Sequence, residues 1–117
     1  MKPLNEVIIS GNLGHDPDIK PDGQSATLSL ATNRRYTTAS GEQRDDTQWH
    51  RVSVRGKLVQ ALGSLTKGSR LLVIGEARSW SYTEEATGQQ VYMHEVAAHT
   101  VALVLMPPKD QPTPAAQ

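Results

Sequence analysis

The sequence predicts an all-β domain, a small barrel carrying one short helix. Several runs alternate apolar and polar residues at period 2 and are bounded by Gly, Pro, Asn and Asp. A single stretch, after residue 57, changes to helical spacing. The aliphatic residues suffice for a core without the aromatics, since Phe is absent and only five rings occur.

The elements follow in order. Residues 6–13 form a first strand centred on Val7, Ile8 and Ile9, with Gly11 expected as a bend or bulge. Gly14-His15-Asp16-Pro17-Asp18 and Pro21-Asp22-Gly23 are turn chemistry. Residues 25–34 make a second strand, with Ala26, Leu28 and Leu30 on one face. Residues 37–46 are polar, contain Ser40-Gly41, and are expected to be a mobile hairpin loop.

The third strand surrounds Trp49. Leu58, Ala61, Leu62 and Leu65 then fall at i, i+3, i+4 and i+7, an amphipathic helix stopped by Lys67-Gly68. Residues 70–82 return to strand, with Val73 and Ala77 expected on the core side. Residues 84–89 turn, and residues 91–106 are the last strand. Five strands with one helix between the third and fourth is the order of an OB-fold, a five-stranded Greek-key barrel. The domain is expected to span 1–106, followed by a disordered Pro/Ala/Gln-rich tail over 107–117.

With 117 residues the chain accommodates one domain. No apolar run approaches the ~20 residues of a membrane span, and the first residues lack a secretory h-region. There is no cysteine, which excludes disulfides and thiolate metal sites. These features predict a cytoplasmic protein with no membrane partner.

The net charge is zero but segregated. Residues 34–78 hold nine basic and four acidic residues, a surplus of five, offset by the flanks. Such segregation can give one positive surface on a neutral molecule. Within this segment, period 2 puts His50, Val52 and Val54 on one side of the third strand and Trp49, Arg51, Ser53 and Arg55 on the other. Strand four repeats the mixture, since Arg78, Trp80 and Tyr82 share a face. Rings beside guanidinium groups suit base stacking and phosphate neutralisation, a combination that favours single strands.

Signals for chemistry are weak. His94-Glu95 and His99 resemble a zinc-protease motif with one residue too many, and a separation of five puts the histidines on opposite faces of a strand. Asp45-Asp46 with His50 resembles part of a metal-nuclease site, yet both acids lie in the expected mobile loop. No phosphate loop or nucleophile–base pair is present, so the sequence predicts a binding protein, not an enzyme, with no metal or other cofactor.

Several motifs together are similar to those of bacterial single-stranded DNA-binding proteins. They are Asn5-Glu6-Val7-Ile8-Ile9-Ser10-Gly11-Asn12-Leu13-Gly14-His15-Asp16-Pro17, Leu28 to Asn33, Thr47-Gln48-Trp49-His50-Arg51-Val52, Gly56-Lys57-Leu58, Lys67-Gly68-Ser69 and Gly75-Glu76-Ala77-Arg78. The resemblance covers roughly 5–106. It implies an OB-fold that coats single-stranded DNA in replication, recombination and repair, assembled as a homotetramer, with a dimer as the fallback. It also implies that Trp49, Tyr36 and Tyr82 are stacking rings, with Trp80 a supplement, and that His50 lies at a subunit interface. Arg55 stands where the family commonly has a stacking phenylalanine. Arg34, Arg35, Arg51, Lys57 and Arg78 complete the expected DNA-binding set, and RNA is an admissible second ligand.

The family's cellular members end in an acidic, phenylalanine-tipped peptide. This sequence ends Pro112-Thr113-Pro114-Ala115-Ala116-Gln117, which resembles a plasmid, phage or conjugative-element version and implies no partners that read an acidic tip. Two other readings compete. A primosome-type OB protein of replication restart would also bind single strands, but the Trp49-His50-Arg51 motif argues for the family proper. An OB module used only for protein contacts would not need two aromatic-basic strand faces.

Overall fold

The computed structural model describes residues 2–106, so the expectation of a disordered tail over 107–117 falls outside the described residues. The elements are β1 (Val7–Leu13), β2 (Asp18–Ile19), β3 (Ser25–Thr37), β4 (Gln43–Arg55), a 3-10 helix (Gly56–Leu62), β5 (Arg70–Thr83) and β6 (Gln90–Leu105). The sheet runs β1-β5-β6-β4-β3-β2, and β1 also pairs with β3 through Asn12↔Ala31 and Leu13↔Leu30. Those two rungs close β1, β3, β4, β5 and β6 into the expected five-stranded barrel. The two-residue β2, in a segment expected to be only turn, adds a short rung pair to the edge of β3.

The core is aliphatic. Leu13, Leu28, Leu30, Val52, Val54, Leu71 and Val73 are fully enclosed, and Ile9, Ala26 and Val96 pack with them. These positions alternate along each strand, which is why period 2 finds them. No buried side-chain polar atom among the described residues lacks a partner. Asn5 extends the β1–β5 ladder with its side chain: Oδ1 accepts from the Ala77 amide at 3.0 Å and Nδ2 donates to the Ala77 carbonyl at 2.9 Å.

Four expectations are corrected. The polar stretch over 37–46 is half strand: β3 and β4 pair without interruption from Ser25↔Arg55 to Thr37↔Gln43. Only residues 38–42 form the loop, closed by the Thr38 amide donating to the Glu42 carbonyl at 2.8 Å. The helix is 3-10, and Val59, Leu62 and then Leu65 are buried while Ala61 is exposed. Three residues per turn put Val59 and Leu62 on one side, which the 3.6 period missed.

Gly11 is not a bulge, because the β1–β5 register runs through it unbroken. A Cβ there would collide with the Ala31 carbonyl, so glycine lets β1 lie against β3 where the barrel closes. The irregularities sit in β6 instead, where Ile74↔Thr100 steps to Gly75↔Ala98 past His99, and Arg70↔Leu105 to Leu71↔Leu103 past Val104. Ala77, expected on the core side, is exposed because β5 and β6 continue beyond the barrel as a two-stranded arm. The β3–β4 hairpin makes a second arm.

Candidate nucleic-acid interface

The two arms leave the barrel from one seam. β4 and β6 run parallel and share only Val52↔Val96 and Ser53↔Ala97. Beyond that seam the strands part, leaving a cleft of about 310 Å³ with Trp49, Arg51, Arg78, His94 and Glu95 among its walls. A second cleft of about 370 Å³ lies beside Trp49 and Arg51, bounded by His15, Asp18, Thr27 and Ser29. Trp49 is therefore a shared wall, 56% exposed.

Its ring rests on Gly14. A Cβ at Gly14 would stand 2.8 Å from Cη2 of Trp49, well inside contact distance. The turn after β1 thus supplies a flat floor on which the indole lies while its other surface stays open.

Cross-strand register decides which candidates share a surface, because paired residues point to the same side of a sheet. Val52 and Val96 are both core residues, so Ser53 and Ala97 are both outward. On that outward side Arg51 reaches Glu95 at 3.9 Å, and Glu95 pairs across β6–β5 with Arg78. Trp80 pairs with Met93 and Tyr82 with Val91 on the same side of the β5–β6 arm. Trp49, Arg51, Arg55, Arg78, Trp80 and Tyr82 accordingly occupy one continuous outer surface. The β6 bulges leave this arm's alternation intact, because they lie nearer the barrel.

Tyr36 and Arg34 do not join that surface. The unbroken β3–β4 register places them on the opposite side of the hairpin, where the Arg34 guanidinium stands 4.9 Å from the Tyr36 ring centroid. On that side too, Thr32 Oγ1 and half-buried His50 Nε2 are 2.9 Å apart. Arg35 lies on the Trp49 side and is bonded to Asp45 at 3.0 Å. Lys57 is exposed on the 3-10 helix.

Charge is distributed less evenly than the sequence count implies. Arg34, Arg35 and Arg44 are each paired with an acid of the same hairpin, Asp46, Asp45 and Glu42. Arg51 pairs with Glu95. Among the described residues, Arg55, Lys57, Lys67, Arg70 and Arg78 have no ion pair. The surplus therefore sits on the barrel and the root of the β5–β6 arm. The exposed hairpin pairs contribute only ~0–1 kcal/mol each, so a phosphate can compete for their arginines.

Sequence reasoning missed Glu95 and Tyr92. Glu95, with its side chain 8% exposed, is the acid that sets Arg51 in the cleft. Nothing local marks it, since its contacts are made through a parallel pairing more than forty residues away in the chain. Tyr92 is the most exposed ring, at 71%, and lies on the side of the arm opposite Trp80. The alternation Val91-Tyr92-Met93 carried that signal. The two histidines of the zinc-like motif are engaged separately: His99 Nε2 lies 3.0 Å from Glu6 Oε1, while His94 lines the cleft.

The model of the single-strand binding protein family matches residues 4–104. The chain belongs to this family. Its members are DNA-binding proteins without enzymatic activity, which agrees with the expectation drawn from the residues. Among solved structures, the Plasmodium falciparum SSB in complex with ssDNA is similar at 27% identity with a TM-score of 0.77, covering 89% of this chain and 97% of that one. A deletion mutant of the single-stranded DNA-binding protein from Thermus aquaticus is also 27% identical, with a TM-score of 0.72. That match covers 87% of this chain and 51% of the other, so this chain spans about half its length. The small single-stranded DNA-binding protein of Streptomyces coelicolor shares the fold, with a TM-score of 0.65 and 24% identity over 86% of this chain and 94% of that one. The comparisons give the primosome-type alternative no support.

Proposed function

We propose that this single-strand binding protein coats single-stranded DNA without sequence preference, in replication, recombination and repair. Bases stack on Trp49, Trp80 and Tyr82, and on Tyr36 where the strand crosses the hairpin. Phosphates lie against Arg51, Arg55, Lys57 and Arg78, with Arg34 and Arg35 available once they leave their acids. One observation carries this reading: three open rings and three arginines share an outer surface that is continuous across both arms. Arg55 stacks less well than the aromatic common at its place, but it adds a phosphate contact and with it more salt dependence.

The test is affinity for single-stranded and duplex oligonucleotides at several salt concentrations. Single strands are expected to win, with log K falling linearly in log salt; four phosphate contacts correspond to a slope of about −3. Duplex preference, or no binding at low salt, overturns the reading. RNA of the same length is expected to bind too, since stacking and phosphate contacts do not sense a 2′-hydroxyl.

A second observation favours self-association. Ile8, Leu103, Val104 and Leu105 are between 51% and 66% exposed, on β1 and the end of β6. Exposed apolar side chains spread along the β1–β5–β6 side of a small barrel mark an interaction surface. A homotetramer, with a dimer as the fallback, is the expected assembly. Light scattering at micromolar concentration checks it, and a monomer there refutes it.

A further inference from the structure

Register can be followed around a barrel as well as along it. From Trp49 it passes to Ala31 on β3, from Ala31 to Asn12 on β1, and from Asn12 to Arg70 on β5. Alternation with the core residues Leu30, Leu13 and Leu71 turns all four to the outer side of the barrel, where Ala31 is itself covered, at 4% exposure, and Trp49, Asn12 and Arg70 provide the open groups. Three interstrand steps of ~4.8 Å put Arg70 within ~14 Å of Trp49 along the surface. In that row only an alanine and an asparagine separate ring from guanidinium. Beside the row lies a polar cleft of about 330 Å³, walled by Ser10, Asn12, Thr32, Asn33 and Arg70.

Arg70 is held in place by neutral groups. Its Nε and Nη2 donate to Asn12 Oδ1 at 3.3 and 3.0 Å, and Asn12 Nδ2 donates to the Gly68 carbonyl at 3.0 Å. No carboxylate among the described residues forms an ion pair with it. The guanidinium thus has a fixed orientation, an uncompensated charge and an Nη1 group with both hydrogens free. That is the state in which arginine binds a phosphate oxygen with least ordering cost.

We propose that Arg70 is a phosphate-binding residue of this chain, holding the backbone of a single strand that leaves Trp49 and crosses β3 and β1 toward β5. The inference rests on the stacking role of Trp49 given above. It adds a direction: the strand continues around the barrel, away from both arms, and its track passes over the polar cleft beside Asn12.

The experiment titrates the full chain with oligo(dT), following tryptophan fluorescence at several salt concentrations. It compares the parent with Arg70→Ala, Arg70→Lys and Lys2→Ala. Arg70→Ala is expected to flatten the slope of log K against log salt by about 0.7, the value of one single-strand phosphate contact. Its melting temperature is expected to match the parent. Arg70→Lys restores the slope because it keeps the charge, and Lys2→Ala leaves the slope alone. An unchanged slope in Arg70→Ala with quenching intact overturns the assignment, as does equal flattening by Lys2→Ala. Absence of quenching in the parent instead overturns the stacking reading itself, so the two failures are distinguishable.

Discussion

Replacing Trp49 by Ala is expected to weaken single-strand binding by ~1–3 kcal/mol, up to about two decades in Kd, while leaving the barrel folded. That is the scale of base–aromatic stacking in single-strand-binding proteins as a class. The reason lies in the ring's position: one surface rests on Gly14, and the indole is 56% exposed between two clefts. Removing a buried Trp costs ~3–5 kcal/mol of stability; this half-open one costs well below that. Titration with oligo(dT) and a thermal melt of the same variant check both halves. Unfolding of Trp49→Ala, with no quenching in the parent, would place the site elsewhere.

Leu28→Ala is expected to do the reverse. Leu28 is fully enclosed on β3, opposite Val52 on β4, and its truncation removes transfer energy and leaves a cavity in an aliphatic core with no large ring to collapse into it. The loss is ~2–5 kcal/mol, a large share of a small domain's stability. Chemical denaturation measures it through a lower midpoint with an unchanged slope. At temperatures where the variant remains folded, affinity for single strands is expected to match the parent, because the outer surface keeps every ring and charge. A parent-like midpoint would mean that Leu28 is not a core residue.

What could be read from the residues depended on burial. Val52 and Val54 alternate with Arg51 and Arg55 because one side of β4 faces the core, and the side bearing Trp49 and Arg51 followed directly. Beyond the barrel neither side of a strand is buried. Residues 43–46, Gln-Arg-Asp-Asp, are held in β4 by ladder hydrogen bonds and exposed ion pairs, and hydrophobic periodicity carries no trace of either. The same absence hid the turn of Tyr36 to the side opposite Trp49, which needs the register and not only the pattern. The helix misled for a different reason: Leu62 and Leu65 fit a period of 3.0 as well as 3.6, and only the choice between Val59 and Leu58 separates them. Glu95 was out of reach because its partner Arg51 is set by the fold and not by spacing.

The two-rung seam between β4 and β6 has a consequence for motion. Every other neighbouring pair in the closed barrel except β1–β3 is joined by six rungs or more, so the cylinder is a ring of long zips with two short clasps. At the β4–β6 clasp a few backbone bonds, the contact of Val52 with Val96 and the Arg51–Glu95 pair keep the two arms in step. Local opening draws on the regions with fewest such bonds, so this clasp can breathe while the hairpins on either side stay intact. The arms then pivot as two separate fingers, and the spacing between the Trp49 and Trp80 rings becomes an adjustable span. A polymer whose stacked bases are irregularly spaced can be gripped without being forced to a single pitch.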